Sequence, residues 1–170
     1  MMMSAAAETP FATDALQAKV FAQQVALAYR NTSASLTAAL VIATLGVILL
    51  YGTISTGLLL GWYALTVTIS LVRLLLLRAY KRANPAVADA KIWATRFYIA
   101  VFAAGMSWGL FATALLPEGN AAKEFAMVFF VAGMAAGGLG SLTPLRVAYP
   151  LFLIPFVLPF AIQMFSCSSA

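Results

Sequence analysis

Hydrophobic and polar positions fall into long blocks along the chain. Apolar stretches at about 35–54, 57–78, 93–116, 124–142 and 147–165 are separated by short polar or turn-forming segments. Each runs for about 18 residues or more with few charges, enough to cross a hydrocarbon core about 30 Å thick. The pattern predicts five transmembrane helices in one membrane domain, 34–166, followed by a short polar tail, 167–170. Period-two alternation and hairpin turns, the marks of a membrane β-barrel, do not occur.

Residues 1–33 precede the first span and read as a cytoplasmic amphipathic segment. Within "PFATDALQAKVFAQQVALAYR" (10–30), Leu16, Val20 and Leu27 recur at near-helical spacing, with Gln17, Gln23 and Gln24 elsewhere on the helix. Thr9 suits a cap and Pro10 the first helical position. Glu8, Asp14, Lys19 and Arg30 interrupt this segment, so it is not read as a secretory leader. "NTSAS" (31–35) supplies capping side chains, which predicts a turn before the first span. Asn31-Thr32-Ser33 also matches a glycosylation sequon in form. Further breaks are expected at Gly52–Gly57, at Asn84-Pro85 in the basic loop, at "PEGN" (117–120) and at Thr143-Pro144.

Composition agrees with this reading. The 170 residues are 64% hydrophobic and 9% charged, with a mean hydropathy of +0.97, whereas soluble domains carry about 25% charged residues. An all-α integral membrane bundle of about five helices follows. Its basic residues sit at membrane edges: Lys19, Arg30, Arg73, Arg78, Lys81, Arg82, Lys91, Arg96 and Arg146 share one side of the predicted topology, and Lys123 alone lies on the other. By the positive-inside rule the N-terminus is cytoplasmic and the C-terminus external.

Three small-residue pairs stand out: Gly57 with Gly61, Gly105 with Gly109, and Gly133 with Gly137. A four-residue spacing puts both glycines on one helix face, where backbones can approach closely. The expectation is close helix–helix contact at all six, with the third and fourth spans as a packed pair; homodimerisation is the alternative use. "GGLGS" (137–141) lacks the lysine and preceding strand of a phosphate loop. Arg73 is the one charge well inside a span. It is either a functional group or, by preference, a side chain snorkelling toward the headgroups near Arg78. Pro155 and Pro159 remove backbone donors in mid-span and act as a hinge or as a passive kink.

Other chemistry is sparse. One cysteine and no histidine leave no disulfide framework, histidine-ligated haem or cysteine–histidine metal site. No Asp, Glu or His lies inside a span, which argues against ion-coupled transport. Ser107 and Ser141 have no group to activate them, so no catalytic residue, cofactor or metal is expected. Lipid is the expected surrounding, and nucleic acid is not a partner.

The stretch "RFYIAVFAAGMSWGLFATALLPEGN…EFAMVFFVAGMAAGGLGSL…YPLFLIPFVLPFAIQMF" resembles the multi-pass N-terminal membrane input domains of bacterial GGDEF diguanylate cyclases, EAL phosphodiesterases and hybrid sensor histidine kinases. The likeness rests on Arg96, Trp108-Gly109, Pro117, the run 131–137 and the proline-spaced "FLIPFVLPF". It implies a sensory domain of the bacterial inner membrane that binds a small or lipid-like signal, or pairs with a membrane signalling partner. Such receptors continue into a return span and an output domain, whereas Gly137-Gly138 here is followed by Leu139-Gly140. The resemblance therefore implies input only, without enzymatic activity. The alternative is a small permease or an accessory subunit of a membrane complex.

Overall fold

A computed structural model describes residues 10–116 and 121–168, with side chains described for 14–116 and 121–163. Thr9, Pro117 and the turn at 117–120 lie outside the described residues, as does the tail beyond 168. The described chain is an all-α bundle of five helices: α1 (Pro10–Leu50), α2 (Thr56–Ala83), α3 (Ala90–Ala114), α4 (Ala121–Leu142) and α5 (Ala148–Ser168), with one 3-10 turn, Val87–Asp89, before α3. The first four are long and apolar enough to cross a membrane. The fifth is apolar over Ala148–Gln163.

The first departure from the sequence reading is α1. The amphipathic segment and the first span are one uninterrupted helix of 41 residues, and "NTSAS" makes no turn. Its hydroxyls bond back along the same helix: Thr32 Oγ1 donates to the Ala28 carbonyl at 3.0 Å and Ser35 Oγ to that of Thr32 at 3.3 Å. Hydroxyls donating to carbonyls in this way do not accept from backbone N–H groups as caps would, and the segment has neither glycine nor proline to stop the helix. The sequon therefore sits within a helix.

The other breaks within the described residues fall where expected. Gly52 takes the left-handed conformation, φ +74°, in a turn closed by Thr53 N–H to Leu50 O at 3.0 Å; glycine adopts this backbone without steric cost. Asn84, also left-handed, ends α2 by donating its N–H to Tyr80 O at 3.2 Å, and Pro85 prevents continuation. Lys81 and Arg82 occupy the last turn of α2, where their charge complements the helix dipole. Between α4 and α5, Leu145 is fully buried, which anchors that turn against the bundle.

Helix α3 lies at the centre. It packs against α5 most extensively, and also against α2 and α1, while α4 packs against α1 and α5. The third and fourth spans are therefore not the tight pair expected from their glycines. Where they meet, Phe111 stands edge-on to Phe130 at 6.3 Å.

The buried stripes explain which glycine pairs fail. On α4 the buried positions are Met127, Val131 and Leu142. Gly133 lies two residues from Val131, about 200° around the helix, and a Cβ at Gly133 or Gly137 would meet nothing within 4 Å. On α2 the stripe holds Leu59, Trp62, Thr66, Ser70 and Leu77. Gly57 and Gly61 each sit two residues from Leu59, and both face open space. Four of the six glycines are thus not helix contacts. Spacing placed Gly57 with Gly61 and Gly133 with Gly137 on one face each, but no neighbouring helix closes on either pair.

Candidate functional site

Gly105 and Gly109 are the pair that packs. A Cβ at Gly105 would lie 2.5 Å from the Phe152 carbonyl oxygen and 2.9 Å from Cγ of Pro155; at Gly109 it would collide with the Pro155 carbonyl oxygen. Both glycines are buried against the backbone of α5. Pro159 supplies a reason for this contact. Lacking an N–H, it cannot donate to the carbonyl four residues back, that of Pro155. The carbonyl left without its helical donor is the one seated on Gly109, where the glycine backbone can approach it closely. Pro155 and Pro159 lie inside one continuous helix, with Pro155 held against α3 and Pro159 exposed. A further glycine, Gly46, lets α1 approach the Phe111 ring: its Cβ would stand 2.9 Å from Phe111 Cζ.

Above this contact lies an aromatic core. Trp108 is buried with its ring edge-on to Trp62 at 5.5 Å and to Phe156 at 6.4 Å. Trp62 stacks on Phe111 at 4.3 Å. A second aromatic cluster lies at the basic end of the bundle. Tyr29 stacks on Tyr80 with ring centres 4.0 Å apart, and donates its hydroxyl to the Trp93 carbonyl at 3.0 Å. This cluster binds α1, α2 and α3 together. The Arg96 guanidinium lies over the Trp93 ring at 4.7 Å, a cation–π geometry.

A polar seam runs between α2 and α3. Trp62 Nε1–H donates to the Ser107 carbonyl at 2.8 Å. Thr66 and Ser107 share a hydroxyl–hydroxyl bond of 2.8 Å, and Ser70 Oγ donates to the Thr66 carbonyl at 2.8 Å. All four residues are buried. Arg73 continues the same α2 stripe one turn further on. Instead of extending along the surface toward Arg78, it lines a small interior cavity with Thr66, Ser70, Ser107 and Trp108. Arg73 is half-buried and makes no ion pair or hydrogen bond with a described residue. Arg73 thus borders interior space within the bundle, which the snorkelling reading does not include.

Two larger spaces meet Arg73. One is an interior crevice of about 100 Å³ bordered by Ala38 and Ile42 of α1, Gly133 and Gly137 of α4, and Phe152 of α5. Here the α4 glycines line space rather than contact a helix. The other is an open groove of about 640 Å³ between α2 and α3, which also carries Arg96. Such an arrangement can hold an anion in an apolar setting. Among the described residues no group of His, Cys, Asp and Glu is placed to hold a metal ion, and the Ser107 hydroxyl is engaged by Thr66.

Of the residues singled out from the sequence, Arg96 and Trp108 are both structural partners of aromatic rings, but in separate clusters, and Pro117 lies outside the described residues. The Thr66–Ser70–Arg73 stripe was not anticipated. Its signal was present in the spacing of these residues from Leu59, Trp62 and Leu77 at intervals of three and four. Compared with known proteins, the chain matches no family model, no curated protein and no solved structure.

Proposed function

We propose that the chain is a membrane-embedded sensory domain of a bacterial signal-transduction protein, of the cyclic-di-GMP or histidine-kinase type, in the inner membrane with its N-terminus cytoplasmic. The observation that carries the reading is Arg73, an arginine on α2 that borders interior space and has no ionic partner among the described residues. An intramembrane charge is costly and is retained where it serves a site. The packing around it supports a domain that responds to what it binds. One side is closely joined through Gly105, Gly109 and Pro155; on the other side α4 has few buried positions and open glycines. A ligand that binds Arg73 better in one packing of α4 than in another shifts the population between them. A small or lipid-like anion is the class of signal this suits.

Deleting the gene from its host, then measuring cellular cyclic-di-GMP and kinase-driven transcription, tests the reading. The expected outcome is a change in one of these outputs, restored by the wild-type chain and not by Arg73→Gln at equal membrane abundance. If both outputs stay unchanged while uptake of a solute falls, the chain is a permease and the proposal fails.

A further inference from the structure

We infer that the groove between α2 and α3 is a binding site for one anionic phospholipid, with its phosphate at Arg73 and Arg96 and an acyl chain along the groove. This goes beyond the signalling proposal and holds even if the chain has no signalling role.

The wall of the groove is apolar. Ile69, Val72 and Leu76 of α2 line one side, and Ile99, Ala100 and Ala103 of α3 the other. From Thr68 to Ala79 it follows α2 for about 16 Å at 1.5 Å per residue. Alanines on α3 in place of larger side chains keep it open. The space faces outward, where lipid surrounds the bundle, so an acyl chain fits it without displacing protein.

Two charges lie on this apolar wall, and no described carboxylate pairs with either. Its five carboxylates, Glu8, Asp14, Asp89, Glu118 and Glu124, all fall outside the helical stretches that form the groove. Arg96 has the Trp93 ring on one side, which leaves the polar edge of its guanidinium for an acceptor. Arg73 has no bonded partner among the described residues. Both lie toward the end of the bundle that bears Arg78, Lys81, Arg82 and Lys91. Basic pockets between membrane helices at such an end attract anionic headgroups. A phosphate offers the acceptor oxygens that a guanidinium fork engages with two parallel hydrogen bonds. A zwitterionic lipid brings the same phosphate with a cation attached, which two arginines disfavour.

The test is native mass spectrometry of the full chain in mild detergent with phosphatidylglycerol and phosphatidylcholine in equal amounts. One phosphatidylglycerol should be retained per chain, in preference to phosphatidylcholine. Loss of one charge-assisted contact should lower that retention about tenfold in Arg73→Gln, while Arg78→Gln, outside the groove, leaves it unchanged. Ala100→Phe fills the groove with both arginines in place and should abolish the preference, so the site remains testable if Arg73→Gln fails to fold. Equal retention of the two lipids, or a preference that survives Ala100→Phe or Arg73→Gln, overturns the inference. Displacement of the phospholipid by equimolar oleate would assign the groove to free fatty acids and likewise overturn it.

Discussion

Replacing Gly109 with alanine adds one methyl group at the tightest point between α3 and α5. The new Cβ would collide with the Pro155 carbonyl oxygen and sit 3.5 Å from Cα of Phe156. The obstacles are backbone atoms of a helix, so they cannot turn aside as a flexible side chain would. The two helices must separate along their contact, which loosens Trp108 against Phe156 as well. Overpacking of this kind costs about 1–3 kcal/mol, and a backbone obstacle puts Gly109→Ala near about 3 kcal/mol. Alanine recovers about 1 kcal/mol through its higher helix propensity, leaving a net loss of about 2 kcal/mol. Gly137→Ala is the internal control. Its Cβ meets nothing within 4 Å, so it keeps the propensity gain and should be neutral or stabilised by up to about 1 kcal/mol. The two variants thus differ by about 2–3 kcal/mol although both change Gly to Ala in an apolar helix. Titrating the chain from mild detergent into dodecyl sulfate, with helicity and tryptophan fluorescence as readouts, measures that difference. A Gly109→Ala variant that unfolds no earlier than Gly137→Ala would refute the packing argument.

Three further expectations follow from the bonds described. Tyr29→Phe removes only the hydroxyl bonded to the Trp93 carbonyl and should cost about 1 kcal/mol, whereas Tyr29→Ala also loses the stack on Tyr80 and should cost about 3–5 kcal/mol; equal losses in the same titration would contradict the role of the ring. A double-mutant cycle of Thr66→Val with Ser107→Ala should give a coupling of about 0.6 kcal/mol, the usual size for hydrogen bonds between membrane helices, and additive effects would show that the 2.8 Å bond contributes nothing. Alkaline phosphatase fused after Ala170 should be active and fused within 80–92 silent; the reverse pattern would invert the proposed orientation.

Hydropathy made the helices legible because each apolar run is long and the breaks carry local chemistry, such as Gly52, Asn84-Pro85 and Thr143-Pro144. The α1 junction was not legible because serine and threonine can cap a helix or bond back along it. Which occurs at Thr32 and Ser35 depends on whether the apolar stripe continues in phase, as it does through Ala28, Leu36 and Ala43. Glycine spacing identifies a smooth face but not the partner it meets. For Gly105 and Gly109 the partner is a carbonyl on α5 that lacks its helical donor, and a proline four residues further on is the only mark of it in the sequence. Gly57, Gly61, Gly133 and Gly137 have no such counterpart. Arg73 was visible as a charge in a span, but that it borders interior space became clear only with the positions of Thr66 and Ser70 on the same stripe.

The joining of α3 to α5 also bears on how the chain is assembled. A membrane protein is made and inserted in order, so α3 enters the bilayer before the helix that covers it. Until α5 arrives, Gly105, Gly109 and Trp108 face lipid or other proteins of the insertion machinery, and α4 must take its place without closing that face. Helix α5 thus docks beside α3, across the intervening α4 in the order of the chain. Ribosome stalling near residue 145 should leave α3 open to cross-linking from the lipid phase at position 109, and release to full length should protect it.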